Sequence, residues 1–160
     1  MLDPQEIDEP ASFALELADA AAAGTLPHFR AGLAVGHKEG RHAFDPVTAA
    51  DRDGEAAIRK LIGERYPTHG ILGEEHGREK GTSALTWILD PIDGTRSFIS
   101  GVPLWGTLIA LNDGARPVIG LMDQPYIGER FVGRPGGSEL IGPMGTVPLK
   151  TSRRPNAPYY

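Results

Sequence analysis

The chain has 160 residues, of which 40% are hydrophobic, with a formal net charge of −5 and no cysteine. This size and apolar content suit one domain with a buried core and exclude a disordered tail. The lack of cysteine excludes disulfides, thiolate zinc sites and a cysteine nucleophile, so any metal must be a hard cation held by oxygen or imidazole ligands.

The charge is unevenly distributed. Residues 1–24 hold six acidic side chains and no Lys or Arg, whereas the rest of the chain is nearly neutral. There is no basic stripe with interleaved aromatic residues, no secretion-signal pattern and no apolar run of about 20 residues. We therefore expect a soluble, cytoplasmic protein that binds neither nucleic acid nor a membrane.

Two helices are predicted in the first 66 residues. Residues 6–23 carry apolar side chains at helical spacing with acids between them, which predicts a first helix with a solvated acidic face. Residues 31–46 are polar and without period, as in a loop or ragged strand. Thr48 and Asp51 have the spacing of a capping box, which predicts a second helix that Pro67 ends.

The remaining chain predicts strands. Apolar segments separated by turn residues lie at 71–72, 85–89, 104–111, 118–122, 129–132 and 139–141. We expect an antiparallel meander, with a hairpin turn at 133–137. Two helices followed by a run of strands indicate an α+β fold in which the N-terminal helices pack on a largely antiparallel sheet.

Acidic side chains follow two of the predicted strands. The apolar strand is expected to end at Asp90, and Pro91 prevents the chain from continuing as a regular ladder, so that the carboxylates of Asp90 and Asp93 can converge around a turn. Alternatively, Asp90 only ends a strand and Asp93 only caps a helix. Glu74 and Glu75 also follow a short apolar strand, and adjacent acids repel unless they are solvated or a cation neutralises them. Several oxygen ligands without cysteine fit Mg²⁺, Mn²⁺ or Ca²⁺.

Other candidate sites are weaker. The five histidines lie mostly in predicted loops, and none pairs at metal-binding spacing on a clear helix, so we expect surface positions.

Three motifs in order carry a family resemblance: Asp45 to Asp51 with Glu55, then Gly73-Glu74-Glu75, then Trp87 to Thr95. With them the chain resembles the inositol-monophosphatase family of metal-dependent phosphatases. Residues 96–101, 105–111 and 123–125 look most like the bacterial histidinol-phosphate phosphatases of that family. The likeness covers about residues 45–133.

The resemblance implies a metal site. Glu74, Asp90 and the backbone carbonyl of Ile92 would bind one Mg²⁺, for which Mn²⁺ can substitute, and Asp93 would bind a second together with Asp90. Such cations activate water and neutralise phosphate charge.

It also implies a substrate site for a small phosphorylated molecule. Gly94 and Thr95 would meet the phosphate through backbone N–H groups, and Arg96 would contact the substrate. Thr95, hydrogen-bonded to Asp51, would orient the attacking water; alternatively, Asp51 only caps its helix. The implied reaction is hydrolysis of histidinol phosphate in histidine biosynthesis, with inositol phosphate or a nucleotide 3′-phosphate as alternatives.

The domain expectation follows from the same family. Residues 1–150 would form the metal-binding domain and 151–160 a linker toward a second α/β domain that is absent. The family's further metal-binding aspartate, from a Trp-Asp motif, has no counterpart, because no Trp follows Trp105 and the last acid is Glu139. We expect a fragment that forms a homodimer or associates with its missing half; the alternative is a non-catalytic, metal-binding dimerisation module.

Overall fold

The computed structural model describes residues 4–31, 36–37, 46–47 and 49–151. Helices α1, α2 and α3 span Pro4–Thr25, Ala49–Arg65 and Thr95–Ile99, and a short 3-10 helix, Leu26–His28, follows α1. Strands β1 to β10 span Gly36–His37, Pro46–Val47, Gly70–Gly73, Gly77–Glu79, Thr86–Asp93, Gly106–Asn112, Pro117–Gln124, Glu129–Arg134, Gly137–Gly142 and Gly145–Leu149. Asp45 and Thr48, which belong to the first motif and the predicted capping box, and residues 152–160 of the predicted linker lie outside the described residues.

Eight strands form the main sheet, in the order β10-β9-β8-β7-β6-β5-β3-β4, while β1 and β2 pair separately. From β5 to β10 the chain is an antiparallel meander, and the β8–β9 connection is the expected hairpin turn. The predicted α+β fold is therefore confirmed. One pair differs from this pattern, because β3 and β5 run parallel. Strand β4 pairs antiparallel with one side of β3, and the chain then crosses back so that β5 pairs with the other side.

The main core lies between helices α1 and α2 and one face of the sheet. Phe13 and Leu17 of α1 and Ile58 and Ile62 of α2 are buried together with Trp87 of β5. These positions repeat at helical spacing, so each helix presents one apolar stripe to the strands. Burying each such side chain contributes about 1.5–3 kcal/mol, which fixes the sheet against the helices.

The acidic face of α1 is partly paired. Three of its acids, expected to be solvated, contact arginines of α2 and β8, which ties the helix to both elements. The pairs are Glu9–Arg65 (2.7 Å), Asp19–Arg130 (2.5 Å) and Asp8–Arg134. Because all three acids are largely exposed, each pair contributes about 1 kcal/mol or less.

Strand limits differ from the prediction at several points. Strands β4 and β10 were not expected, because neither segment shows a clear alternation of apolar and polar residues. Strand β6 begins at Gly106 rather than Leu104, which remains 69% exposed. The largest difference is in β5, which continues through Pro91 to Asp93.

The histidines are expected at the surface, whereas His69 is half-buried. Its ring stacks on Tyr66 with 4.6 Å between ring centroids, and its Nδ1 accepts a hydrogen bond from Trp87 Nε1 at 3.2 Å. Burial lowers the pKa of His69, because the charged imidazolium is poorly solvated there. The side chain thus belongs to an aromatic cluster under the sheet.

Candidate metal and phosphate site

Strands β3 and β5 bring two of the predicted ligands together. In their parallel register Gly73 lies opposite Leu89, so Glu74 and Asp90 occupy neighbouring positions immediately beyond. The Glu74 N–H donates to the Leu89 carbonyl oxygen at 3.3 Å and continues the ladder by one residue. Two carboxylates therefore leave the same edge of the sheet side by side.

A bulge in β5 directs the chain after Asp90. Asp90 pairs with Leu108 of β6 and Asp93 pairs with Gly106, so β5 has one more residue than β6 between these points. The irregular ladder predicted at Pro91 is confirmed by this shift in register, but the strand does not end at Asp90. It continues to Asp93, because the bulge accommodates a residue that lacks an N–H group. The Pro91 carbonyl accepts a hydrogen bond from Thr107 Oγ1 at 2.8 Å inside the protein.

A second core cluster anchors the residues after the bulge. The Ile92 side chain is buried with Phe29, Phe98 and Trp105. The Ile92 carbonyl oxygen accepts a hydrogen bond from Thr95 Oγ1 at 3.1 Å. The segment is therefore held by its side chain in the core and by Thr95 at its backbone.

Gly94 makes the turn into helix α3. Its φ of 89° lies in the left-handed region, and a Cβ at this position would be 2.8 Å from the Leu104 carbonyl oxygen. Glycine is the residue that meets both requirements without strain. The helix then begins at Thr95, as the sequence predicts, and Asp93 just before the turn is exposed.

Asp90 is electrostatically strained. Burial, the charge of neighbouring Glu74 and the charge of Asp93 raise the pKa of Asp90 to about 7 from an ordinary 3.8. The Asp90 Oδ1 atom is buried without any hydrogen-bond partner. Such an oxygen requires a partner, because a buried polar atom without one is costly.

These residues fit a divalent cation. In the described part of the chain, no three His, Asp or Glu side chains form a ready-made metal-binding group. Glu74 and Asp90 nevertheless repel each other at one sheet edge, and Asp90 Oδ1 lacks a donor. A hard cation would satisfy this oxygen and neutralise the repulsion, and carboxylate oxygens are the ligands that Mg²⁺ prefers.

The other predicted residues lie on helices α2 and α3. Asp51 is buried in the first turn of α2, with only 4% of its surface exposed. Arg96 is exposed on α3. The Glu75 side chain, to which the sequence assigns no role, is directed to Arg52, with 3.8 Å between Oε2 and Nε.

The sequence analysis assigned no role to two supporting residues, Thr107 and Glu55, although Glu55 belongs to the first motif. Thr107 holds the bulge through Pro91, and no pattern around it indicates this contact. Glu55 is completely buried and accepts hydrogen bonds from the N–H groups of Glu75 and His76. Its spacing of four residues from both Asp51 and Arg59 was the available signal, since it places all three on one helix face.

The predicted site lies at the ends of strands β3 and β5. Two clefts elsewhere, of about 430 Å³ beside Asp123 and Arg130 and about 350 Å³ beside Arg134, contain none of the predicted site residues. None of the helices in the described ranges is long and apolar enough to cross a bilayer.

Comparisons with known proteins give the same assignment as the motifs. The sequence profile of the Inositol monophosphatase family matches residues 6–158. A histidinol-phosphatase of Chlorobaculum parvum is 43% identical over 129 residues, which are 80% of this chain and 49% of the relative. The inositol-1-monophosphatase ImpA of Mycolicibacterium smegmatis is 35% identical over 156 residues, which are 94% of this chain and 55% of the relative.

The fold comparison is equally direct. The IMPase structure from Thermotoga maritima superposes with a TM-score of 0.80 at 26% identity and covers 91% of this chain and 55% of that one. The chain therefore spans about half the length of the relatives it matches. With its three ordered motifs, its helices on an antiparallel sheet and its paired carboxylates, the chain belongs to the inositol monophosphatase family of phosphatases.

Proposed function

We propose that this chain is the metal- and phosphate-binding part of a Mg²⁺-dependent phosphomonoesterase that hydrolyses histidinol phosphate to histidinol and phosphate. The observation that carries the proposal is that Glu74 and Asp90 lie side by side at the ends of two parallel strands. Asp93 ends the same strand as Asp90, and its charge acts on Asp90. The 43% identity to a protein named histidinol-phosphatase supports the substrate. Inositol phosphate is the second candidate, supported by the relative named inositol-1-monophosphatase.

Glu74, Asp90, Asp93 and the Ile92 carbonyl are the proposed ligands. When bound, Mg²⁺ neutralises phosphate charge and makes water a better nucleophile near neutral pH. The bulge and the buried Ile92 side chain fix the backbone that carries Asp90, the Ile92 carbonyl and Asp93.

Thr95 and its neighbours are the proposed phosphate and water site. The Thr95 hydroxyl directs its proton to the Ile92 carbonyl, so its oxygen is able to accept a hydrogen bond from the attacking water. The predicted hydrogen bond from Thr95 to Asp51 is not formed, because the single hydroxyl proton of Thr95 is donated to the Ile92 carbonyl, so Thr95 alone is proposed to orient the water. The N–H groups of Gly94 and Thr95 begin a helix, where they have no partner within the helix and can donate to phosphate oxygens. Exposed Arg96 would contact the substrate.

The complete protein is proposed to be cytoplasmic and to have more structure than residues 1–150. We propose that the described domain associates with a C-terminal half, joined through residues 151–160, or with a second copy as a homodimer. The exposed apolar side chains of Val102, Leu104, Tyr126 and Ile127 support such an association.

The experiment is phosphate release from histidinol phosphate, inositol 1-phosphate and a nucleoside 3′,5′-bisphosphate with Mg²⁺. It is run with this chain alone and with the chain completed by the C-terminal half of a histidinol-phosphatase relative. Release from histidinol phosphate by the completed protein is expected, and Asp93→Asn should abolish it while the circular dichroism spectrum shows an intact fold. Asp113→Asn, in an exposed turn, is the control. Full activity of Asp93→Asn would refute the metal assignment, and no release from any substrate would favour a non-catalytic module.

A further inference from the structure

Glu55 is a buried carboxylate that faces a turn. Its side chain is 0% exposed. Its Oε2 accepts a hydrogen bond from the Glu75 N–H at 2.8 Å, and its Oε1 accepts from the His76 N–H at 3.1 Å. Arg59 Nε donates to the same Oε1 at 2.7 Å. Both oxygens are therefore engaged, so this carboxylate is not available as a cation ligand.

Arg59 extends the contact by one residue. Besides pairing with Glu55, its guanidinium donates to the Gly77 carbonyl and lies 3.4 Å from Glu79 Oε2. The turn between β3 and β4 is thus attached to helix α2 at three consecutive positions, 75, 76 and 77. A rigid fork of donors such as arginine suits this role better than lysine.

Gly73, the residue before Glu74, packs directly against the Glu55 carboxylate. A Cβ on Gly73 would lie 1.9 Å from Glu55 Oε1 and 2.6 Å from Oε2. The backbone therefore passes directly over the carboxylate, and any larger residue would displace one or the other. Glu74 is held from both sides, by the close packing of Gly73 and by the hydrogen bond to Glu75.

We propose that Glu55 is a positioning residue that sets the backbone of residues 73–76 and thereby places the Glu74 carboxylate beside Asp90. This inference rests on the proposed function in so far as it makes Glu74 a metal ligand. Outer contacts of this kind orient the groups that hold a metal, and their loss lowers metal affinity. A residue that only stabilised the fold would affect unfolding without a selective effect on cation affinity.

The test compares Glu55→Gln with two control variants of the same helix. Glu64→Gln removes a charge from an exposed position, and Ile58→Val trims a completely buried core side chain without touching the turn. The first readout is amide hydrogen exchange of Glu75 and His76 in the metal-free chain. Glu55→Gln should accelerate it about tenfold or more, because one acceptor and the charge are lost, and both controls should leave it unchanged.

The second readout is Mn²⁺ affinity by electron paramagnetic resonance. Glu55→Gln should weaken it about 10- to 100-fold, whereas Ile58→Val should lower the unfolding temperature without this effect. If Glu55→Gln does not fold, Arg59→Lys gives a milder change in the same two readouts, since it keeps the charge but loses the contact with Gly77.

Unchanged exchange at Glu75 and His76, or a loss of Mn²⁺ affinity no larger than that of Ile58→Val, would overturn the inference. If the unmodified chain bound no Mn²⁺, the proposed function would fail instead. Amide exchange would then decide the role of Glu55 in positioning the turn.

Discussion

Asp90→Asn should stabilise the metal-free chain at alkaline pH while removing its response to Mg²⁺. Asp90 is partly buried beside two other carboxylates, and its Oδ1 has no hydrogen-bond partner. Asparagine has almost the same shape but no charge. The substitution therefore removes the repulsion and leaves the bulge of β5 in place.

The sign of the effect follows from the pKa of Asp90, which is about 7 in the folded chain against 3.8 ordinarily. Between these two pKa values the folded state binds more protons than the unfolded state. The free energy of unfolding therefore falls as pH rises from about 4 to about 7, and the loss is complete above pH 7. Below about pH 4 the carboxyl is protonated in both states, and the two proteins should have similar stability. The variant lacks this loss and is the more stable protein at pH 8.

The magnitude is bounded by the same shift. About three pKa units correspond to about 4 kcal/mol if the whole difference were intrinsic to Asp90. The carboxyl is partly exposed, so solvent screening reduces the expected gain to about 2 kcal/mol at pH 8.

The assay is urea unfolding in a chelator at pH 4, 6 and 8, repeated at pH 8 with excess Mg²⁺. Added Mg²⁺ should stabilise the unmodified chain, because a ligand that binds only the folded state shifts the equilibrium, and it should leave Asp90→Asn unchanged. Asp53→Asn, exposed on α2, is the control and should behave like the unmodified chain. Equal or lower stability of Asp90→Asn at pH 8 would refute the account of repulsion at this edge.

Two further predictions concern the fold around the site. Gly94→Ala should lower the free energy of unfolding by about 1–3 kcal/mol in urea titrations, because φ is 89° and the new Cβ would be 2.8 Å from the Leu104 carbonyl oxygen. The control Gly63→Ala, in α2 with open space around it, should instead raise the free energy of unfolding by about 0.5–1 kcal/mol. Equal effects of the two substitutions would contradict the strain argument. Burial lowers the pKa of His69, so its contribution to stability is present above about pH 6.5 and is lost as pH falls through the lowered folded value. In an Asp90→Asn background, which removes the opposite slope, His69→Gln should lose less stability on acidification, as measured by Trp fluorescence, and an unchanged slope would exclude His69 as the cause.

Much of the fold could be predicted because its signals are local. The apolar stripes of α1 and α2, the strand-and-turn alternation of the meander and the glycine that begins α3 each depend on neighbours in the chain. The short strands β4 and β10 could not be predicted from the sequence, because they have no periodic apolar face and form only by pairing with an adjacent strand. The end of β5 could not be predicted for a related reason: a bulge in β5 lets the strand continue past Pro91 and pair again with β6 at Gly106.

The candidate site shows the same division. The order of the motifs and the positions of acids after apolar strands predict Glu74, Asp90 and Asp93 as a set of metal ligands from the sequence alone. Glu55 was different, since a Glu-Arg pair four residues apart on a helix normally forms a solvated surface pair. It is buried because the turn after β3 packs onto it, and that contact joins residues about 20 positions apart.

The sequence by itself determined the α+β class, the family and the carboxylates, because hydrophobic period, turn chemistry and motif order are all written along the chain. Only the tertiary structure decided that β3 and β5 are parallel, which is what brings Glu74 and Asp90 to one edge, and that the net −5 of the chain includes two carboxylates repelling each other there. Strand pairing and burial are settled by packing between distant segments, so a local pattern can name these acids but cannot set the distance between them.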